Sequence, residues 1–120
     1  MSNITAPAAT LMPPALKAGD TIALLATARK IDSAEIEFAV QTLQSWGLNV
    51  TVGKTIGLGD NQFAGSDAER LADLQQQLDD PNVKAIVCAR GGYGTLRLVD
   101  NIDFRKFMKK PKWICGFSDI

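Results

Sequence analysis

Residues 84–94 read KAIVCARGGYG. Six residues that are mostly apolar run straight into a glycine turn. A strand that is apolar on both faces suits the interior of a parallel sheet covered by helices on both sides. Glycines directly after it let the chain reverse sharply and leave bare N–H groups facing outward. This stretch therefore predicts a βα unit with a possible site at its turn.

The pattern repeats on either side. Upstream, TIALLA at 21–26 follows the Gly19-Asp20 turn and reads as another two-sided apolar strand. Residues 32–46 have helical spacing, with Ile36, Ala39, Val40, Leu43 and Trp46 on one face. Asp32 and Glu35 are placed as a capping box, and Gly47 as a stop. LNVTV at 48–52 alternates as a strand. A glycine-rich loop follows at 53–65, long enough to be functional or mobile. Ser66 and Glu69 open a second helix to about Leu78, with Leu71, Leu74 and Leu78 on its inner face. Downstream of the glycine turn, 95–100 and 103–110 read as short helical pieces. KWICG at 112–116 reads as a fourth strand, followed by Phe117, Ser118, Asp119 and Ile120. The order β-α-β-α-β-α-β predicts a three-layer α/β fold with a parallel sheet, Rossmann- or flavodoxin-like, and right-handed crossovers. Such sheets carry their chemistry beyond the C-terminal strand ends.

Composition narrows the chemistry. The chain has 120 residues, 13 basic and 13 acidic side chains, two cysteines and no histidine. Zero net charge argues against a nucleic-acid partner, whose binding depends on clustered Lys and Arg. No apolar stretch approaches the roughly 18 residues that cross a bilayer. Residues 1–15 lack the basic start and apolar core of a signal peptide and read as a flexible lead-in, with the domain over 16–120. Cys88 and Cys115, each in an apolar run, are expected to be buried thiols of a cytoplasmic protein. Without histidine these residues alone hold neither a complete Ser-His-Asp device nor a His-ligated metal site, and no cofactor is expected.

Two turns remain as candidates. Arg90-Gly91-Gly92-Tyr93-Gly94 meets neither the Walker A nor the GxGxxG pattern. It could cradle a phosphate, donate to an oxyanion, or be a plain βα turn. Gly116-Phe117-Ser118-Asp119 has the opening of a nucleophile elbow, a strained turn that lifts a serine above a sheet. It could equally be an N-cap serine. On neighbouring parallel strands the two turns would bring a nucleophile and an oxyanion donor to one sheet edge.

Three blocks carry a resemblance: LKAGDTIALLATA at 16–28, FAGSDAERLADLQQQLDDPNVKAIVCARGGYGTLRLVDNIDF at 63–104, and KWICGFSDI at 112–120. Together they resemble the N-terminal domain of the LD-carboxypeptidases, serine peptidases of the muramoyltetrapeptide carboxypeptidase type. The resemblance implies a cytoplasmic hydrolase that cuts an L-to-D peptide bond in murein tetrapeptide and releases D-Ala during wall recycling. It implies Ser118 as nucleophile, with the backbone N–H groups of Asp119 and Gly92 as the oxyanion hole. Gly91, Tyr93 and Arg90 are then expected to contact the peptide, Arg90 or Tyr93 at its terminal carboxylate. The triad's Glu and His belong to a C-terminal domain, so these 120 residues alone are expected to be inactive. A branch of the family that hydrolyses acyl-nucleotide antibiotics and confers microcin immunity is an alternative. An anion- or nucleotide-binding module is an alternative of another class. The family often has a proline soon after the first strand, where this chain reads Ala26-Thr27-Ala28-Arg29. An apolar patch at Phe117 and Ile120 is expected to drive self-association, as a homodimer or otherwise.

Overall fold

The four apolar runs form one parallel sheet. The computed structural model describes residues 11–120, so most of the expected lead-in, residues 1–10, lies outside the described residues. The strands are β1 (Thr21–Leu25), β2 (Asn49–Val52), β3 (Val83–Cys88) and β4 (Trp113–Cys115), in spatial order β2-β1-β3-β4. Register pairs Leu24 with Val52 on one side and with Val87 on the other, and Val87 in turn with Cys115. Between β1 and β3 the winding reverses direction. In open α/β sheets the crevice at such a reversal is the ligand site.

Three helices complete the layers: α1 (Ser33–Ser45), α2 (Asp67–Asp79) and α3 (Arg105–Lys109). Leu24, Ala26 and Ile36 centre the core beneath α1. Ala23, Leu25, Leu74, Leu78 and Ile86 centre the core beneath α2, with Phe107 of α3 packed on it. β1 lies between both layers and is buried from Ile22 onward. The expected three-layer fold therefore stands.

The caps follow their sequence signals. The Ser66 hydroxyl accepts the Glu69 N–H at 3.1 Å, and the Glu69 carboxylate accepts the Ser66 N–H at 2.9 Å. At α1 the Asp32 N–H donates to Glu35 Oε1 at 3.3 Å. The far end of α2 is closed by a residue read only as part of a strand. Lys112 is buried, and its ammonium donates to the carbonyls of Gln77 (2.7 Å) and Asp80 (2.8 Å). The Gln77 carbonyl is one that a helix end leaves without a partner, and the Asp80 carbonyl, just past the helix, also accepts the Val83 N–H. Burial pushes the Lys112 ammonium below its ordinary pKa.

Several expectations change. Trp46 and Ala39 leave the inner face of α1, and Trp46 is 66% exposed. Helix α1 covers only the β2 side of its face. The β3–β4 side opens as a groove of about 610 Å³ lined by Ile22, Leu43, Ala85, Val87, Trp46 and Trp113. Cys88 is buried but Cys115 is exposed, because β4 is an edge strand with no helix over its side of that face. The stretch 95–100 forms two 3-10 turns, Thr95–Arg97 and Val99–Asn101, in place of an α-helix. Phe117 is 82% exposed, but Ile120 packs against the core beneath α2, so only half of the expected apolar patch forms.

The long loop 53–65 is tied down along its length. Gly53 N–H donates to the Leu24 carbonyl, Lys30 N–H to Gln62, and Ala64 N–H to Ala28. Thr55 is fully buried; its hydroxyl accepts the Ala26 N–H at 2.8 Å and donates to Asp73 Oδ2 at 2.6 Å.

The strongest tie is Arg70, in the first turns of α2 and 0% exposed. Its Nε donates to the Thr27 carbonyl (3.0 Å) and its Nη1 to Gly65 (2.8 Å). Its Nη2 reaches Asp67 Oδ1 (2.8 Å) and the Gly94 carbonyl (3.3 Å). One planar cation thus joins the exit of β1, the long loop, the start of α2 and the glycine turn after β3. Phe63 lies flat against it, with Arg70 Cζ 4.7 Å from the ring centroid. A lysine offers a single charged centre and cannot reproduce this fork.

Two predictions follow from these contacts. Arg70→Met leaves the Thr27 and Gly65 carbonyls without a donor and should lower unfolding stability by about 2–5 kcal/mol in urea titrations, at 1–3 kcal/mol for each orphaned group. A loss below about 1 kcal/mol would refute the bracing role. Asp103 accepts from the Arg105 guanidinium at 2.6 Å, and this holds its carboxyl at about 2 against an ordinary 3.8. A folded pKa below the unfolded one means stability that is complete above about pH 4 and lost as the pH falls through about 2. A carboxyl NMR titration should find that low midpoint, and Arg105→Gln should return it toward about 4.

Candidate active site

The C-terminal ends of β1, β3 and β4 point the same way, because the sheet is parallel. Each delivers one segment to the same edge: Ala26–Lys30 after β1, Arg90–Gly94 after β3 and Gly116–Ile120 after β4. The structure therefore brings together the two turns singled out in the sequence.

Ser118 stands out by its backbone. Its φ is +64°, and among the described non-glycine residues only Asn61 (+55°) shares a positive value. Asparagine tolerates that region well; for an ordinary L-residue it costs roughly 1–2 kcal/mol. Strain of this kind persists where the surroundings over-determine it, and such places are often functional. Here Ser118 lies three residues past the end of β4 and is exposed. A strained serine at the end of a parallel strand is the geometry of a nucleophile elbow.

Gly91 explains how the elbow meets the other turn. A Cβ at Gly91 would overlap the Phe117 carbonyl oxygen and come within 2.9 Å of Ser118 Cβ. The backbone of the glycine turn is thus in contact with the elbow, an approach that no side chain at 91 would allow. Gly92 has φ +102°, and a Cβ there would meet the Arg29 side chain, 2.7 Å from its Nε. Among the described residues, neither the Gly92 N–H nor the Asp119 N–H has an intramolecular acceptor. One N–H group on each turn is thereby left without a partner within the described residues.

The remaining predicted contacts sit around this centre. Tyr93 is 46% exposed, with its ring tilted against Phe63 at 6.3 Å between centroids. The Arg90 guanidinium donates to the Lys30 carbonyl at 3.0 Å, so it braces the loop after β1. Behind the turn, Arg97 pairs with Asp67 at 2.9 Å, and hydrogen bonding from Arg97 holds the Asp67 carboxyl below its ordinary pKa. Thr27 and Thr95 hydroxyls meet at 2.7 Å and join the loop after β1 to the end of the glycine turn. Burial pushes the Cys88 thiol up and keeps it protonated.

The phosphate-cradle reading loses its support here. A phosphate site of that type needs a helix N-terminus with aligned N–H groups. The glycine turn leads into a three-residue 3-10 turn, which supplies no such array. Among the described residues there is no cluster of three or more Cys, Asp or Glu side chains fit to hold a metal.

Sequence reasoning missed Arg29, Arg70, Thr55 and Asp73. For Arg70 a signal existed. It occupies the helical register of Leu74 and Leu78, and a charged residue on a core-facing stripe must be paired. Asp73 similarly shares the inner face with Gln77. Arg29 carried no periodic signal, because it lies in an irregular segment fixed by a bridge to Phe63.

Known proteins resemble this chain in sequence and fold. Residues 22–120 match the LD-carboxypeptidase N-terminal domain. A probable murein peptide carboxypeptidase of Bacillus subtilis is 43% identical over 108 residues, covering 90% of this chain and 34% of the relative. The solved muramoyltetrapeptide carboxypeptidase of Oxalobacter formigenes superposes with a TM-score of 0.71 at 28% identity, covering 82% of this chain and 33% of that one. The microcin C7 self-immunity protein MccF, solved in complex with aspartyl sulfamoyl adenosine, superposes with a TM-score of 0.85 at 26% identity, covering 92% and 34%. The chain spans about a third of the length of these relatives. By the match of its sequence over nearly its whole described length, the chain belongs to the LD-carboxypeptidase family, with that family's N-terminal domain over residues 22–120.

Proposed function

We propose that this chain is the nucleophile-bearing part of a cytoplasmic serine carboxypeptidase that hydrolyses the L-to-D peptide bond of murein tetrapeptide and releases D-Ala. The observation that carries the reading is Ser118, held at φ +64° against the backbone of Gly91. Its hydroxyl attacks the scissile carbonyl. The developing oxyanion is held by the N–H groups of Gly92 and Asp119, the donor pair that such a tetrahedral intermediate requires. Gly91, Tyr93 and Arg90 border the peptide.

A serine hydroxyl is a weak nucleophile without a base. These 120 residues hold no histidine. The resemblance to the LD-carboxypeptidases assigns the base and its orienting carboxylate to a His and a Glu of a C-terminal domain. The intermediate is an acyl-enzyme on Ser118, and water releases it after D-Ala has left.

A second reading has its own support. The TM-score is higher with MccF, 0.85 against 0.71, although the sequence is closer to the murein carboxypeptidases. In that reading the same serine and oxyanion hole act on an acyl sulfamoyl nucleotide. Parallel turnover of both compounds by the full-length enzyme separates the two. The primary reading expects kcat/KM for murein tetrapeptide to exceed that for aspartyl sulfamoyl adenosine by at least about tenfold; the reverse order favours the second.

Two substitutions in the full-length enzyme test the site. Ser118→Ala should reduce kcat by at least about 10³-fold with little change in melting temperature, because the side chain is exposed and its loss relieves no packing. Retained activity would remove Ser118 from the mechanism. Gly91→Ala pushes a methyl into the elbow and should cost about 100-fold in kcat, the usual penalty for a misplacement near 1 Å. Unchanged kcat in a folded G91A enzyme would show that the contact between the turns does not position the serine.

A further inference from the structure

A carboxypeptidase must recognise the free carboxylate of the residue it removes, and a guanidinium is the side chain best shaped for it. The basic residues around the glycine turn are mostly engaged elsewhere. Arg70 is buried on backbone carbonyls and Asp67. Arg97 is paired with Asp67. Arg90 donates to the Lys30 carbonyl, and the Lys30 stem lies beside Gly59, across the long loop.

Arg29 differs from all of them. It is exposed, and among the described residues no carboxylate lies within ion-pairing distance of it. Its side chain lies over Gly92, with Nε 2.7 Å from where a Cβ would stand. The adjacent residue, Gly91, touches Ser118 in the same sense. Covalent reach across these two neighbouring residues keeps Arg29 Nε within about 12 Å of Ser118 Cβ. The backbone beneath it is clamped. Arg29 bridges to Phe63, the Lys30 N–H donates to the Gln62 carbonyl, and the Ala64 N–H donates to the Ala28 carbonyl. The result is an unpaired guanidinium on a fixed backbone, beside one oxyanion donor and close to the nucleophile.

We propose that Arg29 is the specificity-determining residue that binds the terminal carboxylate of the substrate's leaving residue. This inference rests on the acyl-transfer reading above and names the substrate feature that the site selects. It replaces the expectation that Arg90 or Tyr93 serves this role. In a peptide cut at its last bond, that carboxylate lies one residue, about 3.8 Å, beyond the scissile carbonyl. An Arg at the glycine turn would grip it while the oxyanion enters between the two N–H groups.

The test compares murein tetrapeptide ending in D-Ala with the same peptide ending in D-alaninamide, in full-length wild type, Arg29→Gln and Arg29→Lys. Wild type should prefer the acid by about 10- to 100-fold in kcat/KM, the worth of charge-assisted hydrogen bonds to a carboxylate. R29Q should lose that preference through a higher KM for the acid, with the amide unaffected, and R29K should recover part of it. Melting curves establish that each variant folds. An R29Q enzyme that keeps the acid preference, or that loses acid and amide turnover equally, would overturn the proposal while leaving Ser118 chemistry intact. A wild-type enzyme inactive on the acid peptide would overturn it together with the acyl-transfer reading.

Discussion

A single buried guanidinium holds the site in place. Arg70 donates to the carbonyls of Thr27 and Gly65, loop residues with no ladder of their own to satisfy them, and to that of Gly94, which also accepts the Arg97 N–H. Buried carbonyls without donors are costly, so a planar cation that serves several of them favours the close approach of the loops. Its charge is balanced by Asp67, which also takes Arg97, and Phe63 covers its face. The glycine turn after β3 is consequently fixed from behind. Its front is then free to face the elbow and a ligand.

The sheet supplies the rest. Parallel strands in the order β2-β1-β3-β4 place the ends of β1, β3 and β4 side by side, with the winding reversal between β1 and β3. Ser118 leaves β4 in a strained turn, Gly91 leaves β3 in contact with it, and Arg29 leaves β1 over Gly92. The proposed nucleophile, oxyanion donors and carboxylate-binding cation thus come from three neighbouring strand ends. No side chain in this set depends on a helix dipole. The 3-10 turns after Gly94 could not provide one.

Much of this was legible in the residues, because the signals were local. Apolar runs such as IVC and ALL mark strands buried on both faces, and Ser66 with Glu69 marks a cap that the structure reproduces. The GGYG and GFSD turns follow their strands directly, so their meeting at one edge followed from topology. What was hidden depended on contacts distant in sequence. Helical register puts Arg70 on the core-facing stripe but does not name its partner Thr27, 43 residues back, and nothing in the pattern points Lys112 to Gln77, 35 residues back. Cys115 and Trp46 misled for a related reason. Both are apolar in pattern, yet they border the side of the sheet that α1 does not cover. The loop at 53–65 looked free because its anchors, Thr55 and Asp73, are polar residues buried against each other.

The central claim is that Ser118 is the acylated residue of an acyl-transfer site built from the two turns. Treating the full-length enzyme with a fluorophosphonate and mapping the adduct by mass spectrometry tests it most directly. The account predicts a single phosphonylated serine, on the peptide containing Ser118, with labelling abolished by Ser118→Ala and slowed in Gly91→Ala. An active enzyme that is labelled at another residue, or that is not labelled at all, would contradict it.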